Sequence, residues 1–397
     1  MSPSLPTPRV PDLVWMMVVT ALVVGLLWTV PIAAARDADG VHLWLGGHTL
    51  VRAGAAALYD PIAQLSLLSS AFGGAVPDDL WAGRNDLLGA FFYPPPAALL
   101  YAPVGLLPVH TATLVLPVVS LVAFLGAGGL LSRVTGLRPF AAVGATLLVP
   151  AVFHCHVLGQ NGGLALLVLA GASLAMCRHQ NMLAGLILGA LVLKPSWWIA
   201  VAWVPLVLGR SRLLLGFGAS TAAVCLGSWA VLGAQPWMDW LALAPDIARL
   251  AELPDYPLHL QYSLPGVGRR LLSGPWGARL GGALAVGALA VGAWKTRALA
   301  TADLPRALCM AWATVSLISP HAHAYDVVGA LPGLLLLGAR RGLHPAVIVL
   351  AVVHHGGQAL EGGQGTGWAL PPATVGLVAV WLALGSDRLY SSVDSRS

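Results

Sequence analysis

The stretch LISPHAHAYDVVGALPGLLLL, residues 317–337, sets two histidines, a tyrosine and an aspartate between apolar runs. His321, His323, Tyr325 and Asp326 could serve a metal ion, a proton path or a phosphate group. On a helix, residues two apart point to nearly opposite faces, and in extended chain they share one. Pro320 disfavours helix just before it, so a same-face histidine pair is open. A zinc site needs about two further ligands, and neither HExxH nor a second His/Cys cluster at matching spacing occurs. Hydrogen bonding to phosphate or hydroxyl groups is the expected role, set against plain polarity at a helix end.

Three other places carry chemistry. Lys194, in LGALVLKPSWWIA, is one of only two lysines, and the other, Lys295, stands far along the chain. A lysine at the bilayer centre costs about 2.5–3.5 kcal/mol, so it needs a partner, a task, or a route out to the interface beside Trp197 and Trp198. As a task, it is a point charge for a phosphate. Asp37 and Asp39 directly follow the first apolar segment. Either is a simple solvated or capping carboxylate, or, partly desolvated at a membrane surface, a general base. GQNGG, residues 159–163, offers the amides of Gln160 and Asn161 at a helix boundary, as a turn or as readers of sugar hydroxyls. No phosphate-binding loop or dinucleotide fingerprint is present.

The elements that must position these groups are membrane helices. Of 397 residues 57% are hydrophobic and 9% charged, against about 25% charged in soluble domains. Continuous apolar runs imply an all-α polytopic membrane protein, not a barrel. They fall near 13–34, 91–108, 109–132, 139–155, 163–177, 182–209, 212–234, 278–296, 306–319, 325–339, 343–357 and 368–386. The run at 13–34 reads as an uncleaved first helix, too long for the core of a signal peptide. The proline-rich 91–108 reads as a helix dipping into the outer face. The run at 182–209 breaks at Pro195, as a hairpin or two half-helices. About 11–13 transmembrane helices are expected, in one domain over residues 1–386, with a polar cytoplasmic tail at 387–397.

Charge sets the orientation. With the N-terminus inside, short inner loops receive Arg133, Arg138, Arg178, Arg210, Arg212, Lys295, Arg297, Arg306, Arg340 and Arg341, as the positive-inside rule requires. Most carboxylates then fall outside, in long loops at about 36–90 and 235–277. Lys194, residues 154–163 and residues 319–326 fall on that same face. Cys155, Cys177, Cys225 and Cys309 are scattered through apolar runs and read as packing residues. No basic cluster with interleaved aromatics suggests nucleic acid.

Six stretches in chain order carry a family resemblance: DADGVHLWLGGHTLVRAGAAALYDP, FFYPPPAALLYAPVGLLP, LGQNGGLALLVLAGA, LVLKPSWW, QYSLPGVGRRLL and ISPHAHAYDVVGALP. Over about residues 37–340 the chain resembles glycosyltransferase family 87, the polyprenol-phosphate-mannose-dependent mannosyltransferase-like proteins of the GT-C superfamily. The resemblance implies a GT-C-type fold and inverting, metal-independent transfer of a hexose, mannose first, with no cofactor. The donor would be a polyprenyl-phosphate sugar and the acceptor a glycolipid or glycan. A monomer in the inner (plasma) membrane would act on the periplasmic or exterior face. The family's aspartate falls on Asp39, with Asp37 the alternative. Its tyrosine–proline pair falls on Tyr93 and Pro94, its Gly-Gln-Asn set on Gly159, Gln160 and Asn161, and its lysine on Lys194. SPHAHAYD departs from the tryptophan-and-histidine version of the mannosyltransferases.

The implied roles match the chemistry of the residues. Lys194, His321, His323 and Tyr93 would hold the donor phosphate. Trp44 or Trp237 would stack on sugar rings, and Gln160, Asn161, Gln261, Tyr325 and Asp326 would contact sugar or acceptor. The competing expectations are a lipid or sugar transporter or flippase, which should show paired repeats and midplane sites, and a non-catalytic scaffold.

Overall fold

A computed structural model of the chain describes residues 10–34, 39–74, 76, 91–249, 258, 261–341 and 372–385. The protein is an all-α polytopic membrane protein, as its composition implies. Among the described residues, four helices are long and apolar enough to cross a membrane: α1 (Val10–Ala34), α5 (Val109–Thr135), α12 (Ser211–Leu232) and α15 (Gly274–Leu299). A fifth span is made if α6 (Pro139–Leu147) and α7 (Pro150–Val157) count as one, bent by 65° where Pro150 interrupts the run. Shorter apolar helices are α8 (Gly162–Cys177) and α16 (Leu304–Ile318). The expected helix near 343–357 and the tail at 387–397 lie outside the described residues.

Outside the 182–209 run the remaining elements are α2 (Asp39–Ala53), a 3-10 turn at Ala55–Ala57, α3 (Pro61–Ala71), α4 (Pro95–Gly105), α13 (Gln235–Arg249), α14 (Leu264–Leu271), a 3-10 turn at Ala324–Ala330, α17 (Leu331–Arg341) and α18 (Pro372–Gly385). The proline-rich α4 has 11 residues. At 1.5 Å per residue it is roughly 16 Å long, about half of a bilayer core.

The run at 182–209 folds as a hairpin. Its rising arm is α9 (Asn181–Gly189) with a 3-10 turn at Ala190–Leu193, and its returning arm is α10 (Pro195–Val201) and α11 (Trp203–Leu208). At its base Arg210 donates to the Asn181 side chain at 3.0 Å, and Arg297 to the Val207 carbonyl at 3.1 Å. Near its tip Trp198 donates to Thr221 Oγ1 at 3.0 Å. The rising arm runs alongside α12 because glycines let the backbones touch. A Cβ at Gly185 would collide with the Leu213 carbonyl, and one at Gly216 with that of Met182. Pro195 begins the returning arm at the position where a helix tolerates proline, so Lys194 sits at the turn.

The bundle therefore has two polar ends. One gathers Asp12 and Arg138, Asn181 and Arg210, Asp303 and Arg340, and Arg306, whose Nε donates to the Leu384 carbonyl at 2.7 Å. The other gathers Lys194 with residues 39–40, 93, 158–161 and 319–326. Between them α16 is the central helix, buried continuously from Arg306 to Leu317. Its Trp312 donates to Ser173 Oγ on α8 at 2.9 Å.

The segment read as a long first outer loop holds two helices, α2 and α3. The adjacent Gly46 and Gly47 look like a break, but they are contact points inside α2. A Cβ at Gly46 would run into the Phe91 ring, and one at Gly47 into the Tyr101 carbonyl on α4. Gly105 meets the Gly47 backbone from the other side. This backbone-to-backbone seam fixes α2 on α4, and with it Asp39 relative to Tyr93.

Candidate active site

Asp39 is the first residue of α2 and half-buried. Its neighbour Gly40 donates its N–H to the Leu158 carbonyl at 3.0 Å, which ties the start of α2 to the turn between α7 and α8. That turn is Gly159-Gln160-Asn161. Gly159 has φ +62°, a left-handed conformation that favours glycine, and Gln160 N donates to the Cys155 carbonyl at 2.9 Å. Asn161 Nδ2 donates to the Tyr101 hydroxyl at 3.1 Å. Gln160 Oε1 and Asn161 Oδ1 are both buried with no hydrogen-bond partner among the described residues. Two amide oxygens left in that state fit a ligand that brings hydroxyl groups.

Tyr93 stands between the two halves of the site. It precedes the Pro94-Pro95-Pro96 start of α4, and its carbonyl accepts from the Tyr59 hydroxyl at 2.7 Å. Trp240 of α13 donates to the next carbonyl back, that of Phe92, at 3.1 Å. The α13 segment is thus latched onto the stretch that leads into α4. Burial pushes the Tyr93 pKa well up, Tyr101, Asp39 and Asp326 add to this, and a side-chain hydrogen bond from Gln160 opposes it. Tyr93 therefore stays a neutral O–H donor, within electrostatic reach of both carboxylates.

Lys194 does not snorkel to the interface: it is 7% exposed. Its Nζ donates to Asp326 Oδ1 at 2.6 Å, and Trp197 Nε1 donates to the same oxygen at 2.9 Å. Asp326 Oδ2 accepts the His323 N–H at 3.2 Å, completing a capping box at the start of the 3-10 turn. The ammonium also lies 5.6 Å from the Trp197 ring centroid. It is within electrostatic reach of Cys155, beside the Gln160 turn. Asp326 is thus the counter-ion of Lys194, a role the sequence reading assigned to neither residue.

The loop before it is braced by an isolated antiparallel bridge between Gln261 and His323. Tyr262 N donates to the Ala322 carbonyl at 3.0 Å, and the Tyr262 carbonyl accepts from Thr374 at 2.8 Å. Gln261 is fully buried, with its Nε2 3.5 Å from the Pro320 carbonyl, which makes it a brace of this loop. His321 is held neutral, its pKa pushed down to about 4. Burial is the main cause, His323 and Arg269 add to it, and Asp326 pulls the other way. It offers a neutral imidazole, which can hydrogen-bond but brings no charge.

Trp44 lies 1% exposed in a packed cluster, donates to the Leu107 carbonyl at 3.0 Å and stacks on His48. Neither face of it is open to a sugar. Trp237 is half-buried and packs edge-on against Trp240. Asp37 and the Tyr325 side chain lie outside the described residues. Tyr101 and Arg269 escaped the sequence reading, and Trp197 entered it only as an interfacial neighbour of Lys194, although each stands inside a quoted stretch of the resemblance. Among the described residues no three His, Cys, Asp or Glu side chains gather in a metal-holding group. The four cysteines are free.

The sequence model of glycosyltransferase family 87 matches residues 91–320, more than half of the chain. Tyr93, Gln160, Asn161, Lys194, Gln261 and Arg269 fall inside the match, and Asp39 and Asp326 outside it. No curated protein and no solved structure matches.

Proposed function

This chain belongs to glycosyltransferase family 87 and is a membrane glycosyltransferase, and on that premise we propose which groups perform the transfer. The donor is a hexose, mannose first, carried on a polyprenyl phosphate. The acceptor is a hydroxyl of a glycolipid or glycan. The reaction takes place on the outer face of the inner membrane, the end of the bundle opposite the arginine-rich one.

Asp39 is the base. It takes the proton of the acceptor hydroxyl as that oxygen attacks the anomeric carbon. The bond from that carbon to the phosphate oxygen breaks on the opposite face, so configuration inverts and polyprenyl phosphate leaves. Tyr93, as a neutral donor, and the amides of Gln160 and Asn161 hold the sugar between base and leaving group. The wall built on Lys194, His321 and His323 receives the phosphate, meeting its charge with side chains and without a metal. Asp326 and Trp197 set the lysine in place.

The observation that carries this reading is that buried Tyr93 lies within electrostatic reach of both Asp39 and Asp326 while hydrogen-bonded by Gln160. One neutral phenol within reach of the base, the amides and the lysine's counter-ion is what supports assigning them to a single site. The test is transfer by protein in lipid nanodiscs supplied with radiolabelled polyprenyl-phosphate-mannose, and then with the glucose and arabinose donors. Wild type should consume one of the donors with or without chelator. Asp39→Asn should lower the rate by about 10²–10⁴-fold, the range for a lost general base. Full activity in that variant, with loss in Asp37→Asn, would move the base to Asp37.

A further inference from the structure

We propose that Arg269, together with the His321 imidazole and the buried hydroxyls of Ser263 and Ser319, forms the subsite that binds the phosphate of the lipid-linked donor. The subsite deepens the donor reading above and rests on it. Lys194, whose charge is already paired with Asp326, then needs this second cation to meet the phosphate.

Charge is the first ground. Lys194 already has a carboxylate at 2.6 Å, so the pair is close to neutral as a unit. Arg269, on α14, has no ion pair and no hydrogen-bond acceptor among the described residues, and its Nε is buried without a partner there. Its guanidinium is within electrostatic reach of His321, and Leu264, at the start of the same helix, packs against the Leu317 cluster just ahead of that loop. Lys194, Asp326 and Arg269 sum to one positive charge at the wall, which a phosphate would neutralise.

The hydroxyls come from the register of the chain. Gln261 pairs with His323 in antiparallel sense. The next residue, Tyr262, donates its N–H to the Ala322 carbonyl at 3.0 Å, so Ser263 follows directly on a residue bonded to the neighbour of His321. Ser263 is fully buried and Ser319 1% exposed, and neither Oγ has a hydrogen-bond partner among the described residues. An arginine fork, a neutral imidazole N–H and two idle hydroxyls are the donor set that a phosphate's several oxygens require. A sugar hydroxyl would not need the arginine, and a cation would be repelled by it.

The test is equilibrium binding of a radiolabelled polyprenyl monophosphate, the reaction's lipid product, to protein in nanodiscs. The dephosphorylated polyprenol and inorganic phosphate serve as second and third probes. Arg269→Gln should weaken polyprenyl monophosphate binding at least tenfold and leave polyprenol binding unchanged. Arg269→Lys, which keeps the charge but loses the fork, should fall between. Arg279→Gln, an exposed arginine stacked on Trp276 of α15, should bind as wild type does. Competition by inorganic phosphate in wild type, lost in Arg269→Gln, would locate the affinity in the headgroup.

Asp39→Asn separates the two levels of inference. If it binds the lipid phosphate normally but transfers nothing, the donor reading stands. Unchanged binding by Arg269→Gln would then overturn the subsite alone. If wild type fails to prefer the monophosphate over the polyprenol, both the subsite and the donor reading fall.

Discussion

Both ends of this bundle are held by ion pairs, but the pairs are of opposite kinds. At the arginine-rich end Arg138 meets Asp12 with side chains 46% and 25% exposed. Arg340 grips Asp303 through two hydrogen bonds, and Asp303 also caps α16. Such wet pairs are replaceable, since water and salt can do much of their work. At the other end Lys194 and Asp326 are 8% and 3% exposed. Two charges out of water are costly to place and costlier to separate. Around them lie amide oxygens and hydroxyl groups with nothing to bind among the described residues. One end is built as a rim that holds helices in place, and the other as a socket.

The contrast can be broken most sharply at Lys194. Lys194→Ala leaves the Asp326 carboxyl without its counter-ion in the interior and should cost about 3–5 kcal/mol of stability, together with activity. Lys194→Met combined with Asp326→Leu should recover most of the stability and none of the activity. Thermal unfolding in detergent and a transfer assay read the two separately. A double variant as unstable as the single would show that the pair is not the unit that matters. Trp197→Phe removes one donor to Asp326 and should cost about 1.5–3 kcal/mol, with some further loss from the smaller ring.

The third effect is on pH. His321 is neutral in the fold down to about 4, whereas the unfolded chain takes up a proton near the ordinary value of 6.5. Between these values the unfolded form binds more protons, so stability falls as pH drops through that window and levels off below it. The slope is at most about 1.4 kcal/mol per pH unit for one proton. His321→Asn should flatten it in a pH series of unfolding midpoints. The smallest effect belongs to the rim: Arg138→Ala should shift stability by about 1 kcal/mol or less and leave transfer intact.

The long helices were legible because a continuous apolar run is its own signal. The expected segment at 109–132 is α5, Val109–Thr135, and the one at 212–234 is α12, Ser211–Leu232. The break in the 182–209 run was marked by Pro195. Which candidate residues stand together was less legible. Lys194 and Asp326 are 132 positions apart, and no local pattern announces such a pair. Trp44 has the residue type of a sugar platform, but only tertiary packing decides whether its faces are free. The Gly46-Gly47 pair has two readings, helix breaker or helix contact, and the partner that decides lies on α4. Arg269 is one base among many in the sequence, and only three dimensions show that no carboxylate among the described residues pairs with it.

The hairpin at 181–208 bears on how the chain is made. Lys194 leaves the ribosome 132 residues before the carboxylate that neutralises it. At about 5–20 residues per second that is a delay of roughly 7–26 s. Through that interval a half-length apolar hairpin carries a charge at its tip with no partner yet synthesised. The insertion machinery must shelter it, or let it wait at the membrane surface, until residues 324–330 arrive. The socket is therefore among the last parts of the protein to close during biogenesis. Variants of Asp326 should be recognised by quality control as unfinished rather than as misfolded.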